Sequence, residues 1–304
     1  MISNKIRAWF YAARLRTLPL SLSGILMGAA LAALYLEPDT TILILALITT
    51  VGLQVTSNFA NDYGDGVRGT DNEERIGPER ALQSGLLSRS ELKKGIIISV
   101  IIDIILITVL LATAFTPSEF WTIAIFLGLG LASIWAAIRY TVGASAYGYK
   151  GLGDLFVFLF FGLLSVLGTM YLFTKELSLI SLLPAMTIGA LSTAVLNLNN
   201  LRDSIPDKKA GKITLVVNLG FDRGKIYHYI LLGAAFLCML TFALYTTGLS
   251  WTSFYLLAFI PIIVHTSTVY GIKEPRMFDP ELKKLALSTF LLAFLCFIAF
   301  NYFL

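Results

Sequence analysis

Residues 41–65 read TILILALITTVGLQVTSNFANDYGD. An uncharged apolar run from 41 to 60 passes directly into Asn58, Asn61, Asp62 and Asp65. A run of that length suits a bilayer-spanning helix. Acids at its end stand near the depth where carboxylates are costly, and such groups pair with something. A second stretch, 197–214, reads NLNNLRDSIPDKKAGKIT and follows another apolar run. Both contain Asn-x-x-x-Asp, as Asn61 to Asp65 and Asn199 to Asp203. Four residues are about one helical turn, so each Asn and its Asp share a face. Hard oxygen ligands of this kind suit Mg²⁺, which is usually held by one or two carboxylates together with substrate phosphates. Two such clusters on one side of a membrane predict a metal-diphosphate site at its surface.

The rest of the chain agrees with a membrane setting. Of 304 residues, 57% are hydrophobic and only 14% charged, where a soluble protein carries about 25%. Mean hydropathy is +0.78. Apolar runs predict nine spans, over 18–36, 41–60, 95–114, 119–139, 154–174, 179–197, 226–246, 251–270 and 285–303. Nothing alternates in the manner of an outer-membrane β-barrel. The fold class expected is an all-α integral membrane protein, one domain over 1–304, with no linker to separate soluble units.

Basic residues set the orientation. Of 23 Lys and Arg, every one but Lys175 falls on the side of the N-terminus. The N-terminus and the long loops 61–94, 140–153 and 198–225 are therefore expected in the cytoplasm and the C-terminus outside. The net charge of +4 is a topology signal and gives no case for a nucleic-acid partner. Residues 1–17 read as an interfacial helix, with Trp9, Phe10 and Tyr11 on an apolar side and Arg14 and Arg16 as anchors. The acidic clusters follow the second and sixth spans. That spacing hints at two four-helix pseudo-repeats plus a ninth helix, and it puts both clusters on one face.

Within the second cluster, Asp203, Asp207 and Gly211 recur every four residues, Pro206 is expected to kink or end the helix, and Lys212 follows. The stretch 140–154, YTVGASAYGYKGLGD, carries Lys150 on a short flexible loop. Its Asp154 suits a metal or a helix cap equally. Arg75 and Arg80 flank a proline turn and suit carboxylate or phosphate. Asp103 lies inside a span, where an acid is either functional or hydrogen-bonded to a neighbouring helix. His228, His265, Cys238 and Cys296 have no partners evident in sequence and read as interfacial or packing residues.

Four blocks in order carry a resemblance: ARLRTLPLSLSGILMG at 13–28, NDYGDGVRGTDNEERIGPERALQSG at 61–85, YGYKGLGDLFVFLFFG at 147–162 and NNLRDSIPDKKAGKITLVVNLG at 199–220. The chain resembles the UbiA superfamily of intramembrane prenyltransferases, over nearly its whole length, and within it the branch that prenylates 1,4-dihydroxy-2-naphthoate. Asn61, Asp62 and Asp65 match the first superfamily motif, and Asp203, Asp207 and Gly211 the second. Gly69 departs where the wider pattern has a final Asp, and Asp71 stands in its place in the naphthoate branch. Leu15 departs where many relatives have Pro.

The resemblance implies a helical bundle around a central cavity in the bacterial cytoplasmic (inner) membrane. It implies Mg²⁺ held by Asn61, Asp65, Asp203 and Asp207, with Asp71 a further ligand and Asp62 and Asp154 secondary candidates. Arg68, Lys150, Lys212 and Arg202 would meet the diphosphate, Lys150 with a catalytic part beside Asp65, Asp203 and Asp207. Arg75, Arg80, Asn58, Asn199 and Tyr149 would contact substrate. The expected partners are a polyprenyl diphosphate, 1,4-dihydroxy-2-naphthoate and membrane lipid, with CO₂ and diphosphate lost and demethylmenaquinol formed. The competing expectations are another aromatic acceptor such as 4-hydroxybenzoate, or a cation transporter.

Overall fold

The computed structural model describes residues 2–70, 76–78 and 80–304. Asp71 and Arg75 therefore lie outside the described residues. Among the described residues, every regular element is helical. α1 (Ile2–Ala13) ends at Arg14, whose φ of 49° breaks the chain direction before a short 3₁₀ turn. α2 (Leu18–Ala33), α3 (Thr40–Arg68), α4 (Arg89–Ala114) and α5 (Phe120–Arg139) form the first half. In the second half come α6 (Gly153–Val157), a π-helical stretch over Phe158–Leu164, and α7 (Ser165–Thr174), which together make one span. Then follow α8 (Leu182–Lys209), the short α9 (Leu215–Leu219), α10 (Phe221–Thr246), α11 (Phe259–Gly271) behind a 3₁₀ stretch, and α12 (Asp279–Tyr302). Among the described residues, nine helices are long and apolar enough to cross a membrane.

Lipid tails are as apolar as leucine, so helices in a bilayer associate by close packing rather than by hydrophobic transfer. α2 shows this directly. A Cβ at Gly24 would lie 1.9 Å from the Ser165 hydroxyl, and one at Gly28 2.4 Å from the Val166 carbonyl. This Gly-x-x-x-Gly face lets the backbones of α2 and the α6–α7 span touch. α2 also packs on α12 and α3, and α8 packs on α10, α12 and the π-helical stretch. α2, α7, α8, α10 and α12 share the largest buried cluster, while α2 to α5 share a second. A third joins α1, α3, α4 and the 81–87 segment, with Trp9 edge-on to Phe59 at 5.2 Å.

Two expectations about helix ends change. The second and sixth spans do not stop at 60 and 197. They continue as helix to Arg68 and Lys209, so both acidic motifs are helical and stand on the ends of α3 and α8. Pro206 does not end α8. It lies in the last turn, where it removes the one bond its N–H would have made to the Arg202 carbonyl, and the helix continues for three residues beyond it. The turn after it is made by Gly211, whose φ of 72° brings Lys212 N–H back to the Asp207 carbonyl at 2.8 Å.

The histidines are also more than packing. His228 on α10 and His265 on α11 face each other Nε2 to Nε2 at 3.0 Å, both buried. His265 Nδ1 meets Glu281 of α12 at 2.6 Å, and Glu281 takes Lys284 on its other oxygen. No spacing in sequence joins three helices at one point, and only the fold brings these side chains together. Asp103 accepts from the Thr56 hydroxyl at 2.6 Å, the helix-to-helix bond that was one of its two readings. Cys238 and Cys296 are free thiols.

Candidate active site

The ends of α3 and α8, the 140–153 loop and the turn at 210–214 meet at one end of the bundle. Ile213 N–H donates to the Tyr149 carbonyl at 3.2 Å, which docks that loop on that turn. Asp65 is buried at the last turns of α3. Its Oδ2 meets Arg80 at 3.0 Å, and its Oδ1 accepts from the Tyr149 hydroxyl at 2.8 Å. The same hydroxyl lies 2.6 Å from Thr70 Oγ1. Arg68 lies over the Tyr149 ring at 4.1 Å, with Lys212 5.7 Å from the ring centre. Tyr149 thus links Asp65 and Arg68 at the end of α3 to Lys212 of the 210–214 turn.

On α8, Arg202 folds back onto the second motif. Its Nε and Nη2 grip both oxygens of Asp203 at 2.9 and 2.7 Å. Nη2 also donates to Asn199 Oδ1 at 2.7 Å, and Nη1 to Asp279 at 2.6 Å. Asp207 is buried, 3.6 Å from Lys212 Nζ. Asp207 senses the charges of Lys212, Asp203 and Asp65, so the two motifs share one electrostatic field. Lys212 is itself buried. Burial alone would lower its pKa, but Asp65 and Asp207 hold it above the usual lysine range. Tyr140 and Tyr149 are pushed up, first by burial and then by the neighbouring carboxylates. Both phenols are protonated donors at neutral pH.

Several expected residues are placed elsewhere. Lys150 is exposed and is not brought into this cluster, while Lys212 is. Asp62 accepts from the Ala81 and Leu82 amides at 3.1 and 3.4 Å, and so anchors the segment that carries Arg80. Asn58 donates to the Ala13 carbonyl at 2.8 Å and to Thr17 at 3.2 Å, and thus holds the N-terminal hinge. Asn61 is half-buried and accepts from Thr141 Oγ1 at 3.3 Å. Asp154 does not cap its helix. Leu152 holds the N-cap position, and Asp154 meets the Tyr227 hydroxyl with one oxygen unpartnered. Tyr140, Thr70 and Asp279 were not singled out by sequence reasoning. Tyr140 opens the Tyr- and Gly-rich stretch and was findable there, whereas nothing local marks Asp279.

Among the described residues, no three His, Cys, Asp or Glu side chains converge on one point as a ready metal cage. The donor set still suits a hard divalent cation. Asp207 Oδ2, Asn200 Oδ1 and Asp154 Oδ1 are buried without hydrogen-bond partners. Carboxylate and amide oxygens left in this state are the ligands Mg²⁺ takes alongside phosphate oxygens.

The fold defines a multi-pass helical membrane protein with a buried cluster of acidic and basic side chains at one end of its apolar spans. The chain belongs to the UbiA prenyltransferase family, whose model matches residues 21–277. It is 44% identical over 296 residues to the 1,4-dihydroxy-2-naphthoate octaprenyltransferase of Haemophilus influenzae, covering 96% of this chain and 95% of that protein. The Escherichia coli enzyme of the same description is 42% identical over 282 residues, 92% and 91% of the two chains. Among solved structures, a UbiA homologue from Aeropyrum pernix superposes with a TM-score of 0.68 at 17% identity, covering 91% of this chain and 96% of that one. A homologue from Archaeoglobus fulgidus bound to GPP and Mg²⁺ gives 0.63 at 17% identity, with 95% and 99% covered. These two show the shared fold.

Proposed function

We propose that this protein transfers a polyprenyl group from its diphosphate to 1,4-dihydroxy-2-naphthoate, with loss of CO₂ and diphosphate. The product is demethylmenaquinol, a step of menaquinone biosynthesis at the cytoplasmic face of a bacterial inner membrane. The observation that carries this reading is the meeting of Asp65, Asp203 and Asp207 with Arg80, Arg202 and Lys212 in one buried cluster. The identity to the two naphthoate enzymes, over nearly the full length of each, supports the acceptor.

Asn61, Asp65, Asp203 and Asp207 would hold Mg²⁺, with Asp71 a further candidate ligand. Bound there, Mg²⁺ supplies positive charge to the leaving diphosphate. Lys212 adds a cation that stays protonated in the site, and Arg68 stacks on Tyr149 within reach of the same space. Fixed charges in a low-dielectric site act most strongly where charge develops, here on the leaving oxygen. Arg202 and Lys150 are further candidates for the diphosphate. The allylic C–O bond then breaks, and an electron-rich ring carbon of the acceptor attacks the cation. Loss of CO₂ replaces loss of a ring proton, so no strong general base is required. None need be sought among Tyr140 and Tyr149, whose phenols stay protonated.

A cavity of about 250 Å³ lies beside this cluster, between the N-terminal hinge and the 78–81 segment. Phe10, Tyr11 and Arg80 line it, so a planar aromatic acid would find rings and a guanidinium together. Arg80 also bonds Asp65, so an acceptor carboxylate held there would lie next to the donor site. The isoprenoid tail needs an apolar surface reached from lipid, which the spans supply. Asp65→Ala and Asp203→Ala should each abolish Mg²⁺-dependent diphosphate release while leaving a folded protein. Full release in either variant would refute the reading. Cation flux across sealed vesicles without diphosphate chemistry would favour a transporter instead.

A further inference from the structure

Arg202 stands in an unusual place for the residue next to a carboxylate on a helix. Neighbours in a helix point about 100° apart and do not normally face each other. Asn199 and Asp203, four apart, do share a face. The guanidinium of Arg202 reaches around into that face, and a single nitrogen, Nη2, lies 2.7 Å from Asn199 Oδ1 and 2.7 Å from Asp203 Oδ2. Asn199 Oδ1 and an oxygen of Asp203, the expected metal ligand of this motif, thus converge on one nitrogen. The far side of the same guanidinium meets Asp279, at the first residue of α12. Asp203 and Arg202 are buried, whereas the Asp279 side chain is 49% exposed.

We infer that Arg202 is a tethered counter-ion that competes with the divalent metal for Asn199 and Asp203, and that Asp279 is the carboxylate that takes Arg202 when the metal displaces it. The inference rests on the reading of Asp203 as a metal ligand. Without metal, the arrangement keeps a buried carboxylate paired, since an unpaired one would cost several kcal/mol. With metal, the guanidinium keeps one partner through Nη1 and turns Nε and Nη2 away from Asp203, where they become free to meet the donor's diphosphate. Asp279 is thus a positioning residue that acts through Arg202. Planar, forked geometry makes arginine fit for this exchange, because one edge of the guanidinium can grip Asp203 bidentately while Nη1 holds Asp279, a fork that a lysine ammonium lacks.

The test is Mn²⁺ binding to the full-length protein in lipid nanodiscs, followed by electron paramagnetic resonance with no diphosphate present. Arg202→Met should tighten Mn²⁺ binding by about ten-fold or more, the scale of a hydrogen-bonded charge pair. Asp279→Asn should weaken it several-fold in the wild-type background and have no effect in the Arg202→Met background. Should Arg202→Met fail to fold, Arg202→Lys carries the test, with tightening expected because its ammonium cannot make the fork. Weaker binding in the Arg202 variants would show that Arg202 builds the site and does not compete, and would overturn the inference. An Asp279→Asn effect that persists without Arg202 would overturn the role of Asp279. Asp203→Ala separates the two levels. If it leaves Mn²⁺ binding unchanged, the metal reading itself fails. If it abolishes binding while the Arg202 and Asp279 variants change nothing, only this inference fails.

Discussion

Lys212→Met tests the electrostatics of the cluster at its buried lysine. The ammonium lies 3.6 Å from Asp207 and is buried, with Asp65 adding to the field. At an effective dielectric of about 20, unit charges at that separation interact by roughly 4–5 kcal/mol. A diphosphate oxygen at similar range would feel a charge of the same order. Removing one fixed donor from a site of developing charge costs about 10²–10³ in rate, or about 3–4 kcal/mol, which is compatible. The expected result is therefore a loss of at least about 100-fold in kcat. Lys212→Arg should keep much of the activity, and Lys150→Ala, on an exposed residue, should lose far less than Lys212→Met. The assay is single-turnover transfer from a labelled polyprenyl diphosphate in nanodiscs, with circular dichroism to check folding. A folded Lys212→Met variant within three-fold of wild type, beside a Lys150→Ala variant down 100-fold, would refute the reasoning and return the diphosphate to the 140–153 loop.

Further outcomes follow from single contacts. Asp62→Ala should loosen the 81–82 backbone it holds, raise protease sensitivity near residue 80 and cost about 1–3 kcal/mol of stability; unchanged proteolysis would argue against an anchoring role. Glu281→Gln should lower thermal stability by several kcal/mol through the His265 contact while leaving the donor KM unchanged; a KM shift without a stability shift would place that chain in the site. Single-cysteine labelling should find position 175 outside and position 212 inside, and the reverse would overturn the topology.

Much of this was legible because a bilayer is a strict solvent. Apolar runs gave the nine spans, since an unpaired backbone is costly in lipid, and the bias of Lys and Arg gives the expected sidedness that the labelling would test. Asn61, Asp65, Asp203 and Asp207 stood out because acids that continue an apolar helix need a reason. Helix ends were harder. The apolar pattern puts the motif residues on helix ends but stops the spans at 60 and 197, whereas α3 and α8 run on to Arg68 and Lys209 with their carboxylates paired to Arg80 and Arg202. Lys150 and Lys212 are both single lysines beside glycines, and only the turn at Gly211 decides which one is buried. Asp279 and the His228–His265–Glu281 chain were beyond sequence reasoning altogether, since their partners lie on other helices and no local pattern records a meeting made by packing.

The central claim is a particular reaction, so its most direct test is the product. Purified protein in lipid would be incubated with Mg²⁺, a polyprenyl diphosphate and 1,4-dihydroxy-2-naphthoate, with 4-hydroxybenzoate in parallel, and the organic phase weighed by mass spectrometry. The account predicts a prenylated naphthalenediol that has lost its carboxylate, formed only with Mg²⁺ and only from the naphthoate. Product from 4-hydroxybenzoate alone, or none from either acceptor with folded protein, would contradict it.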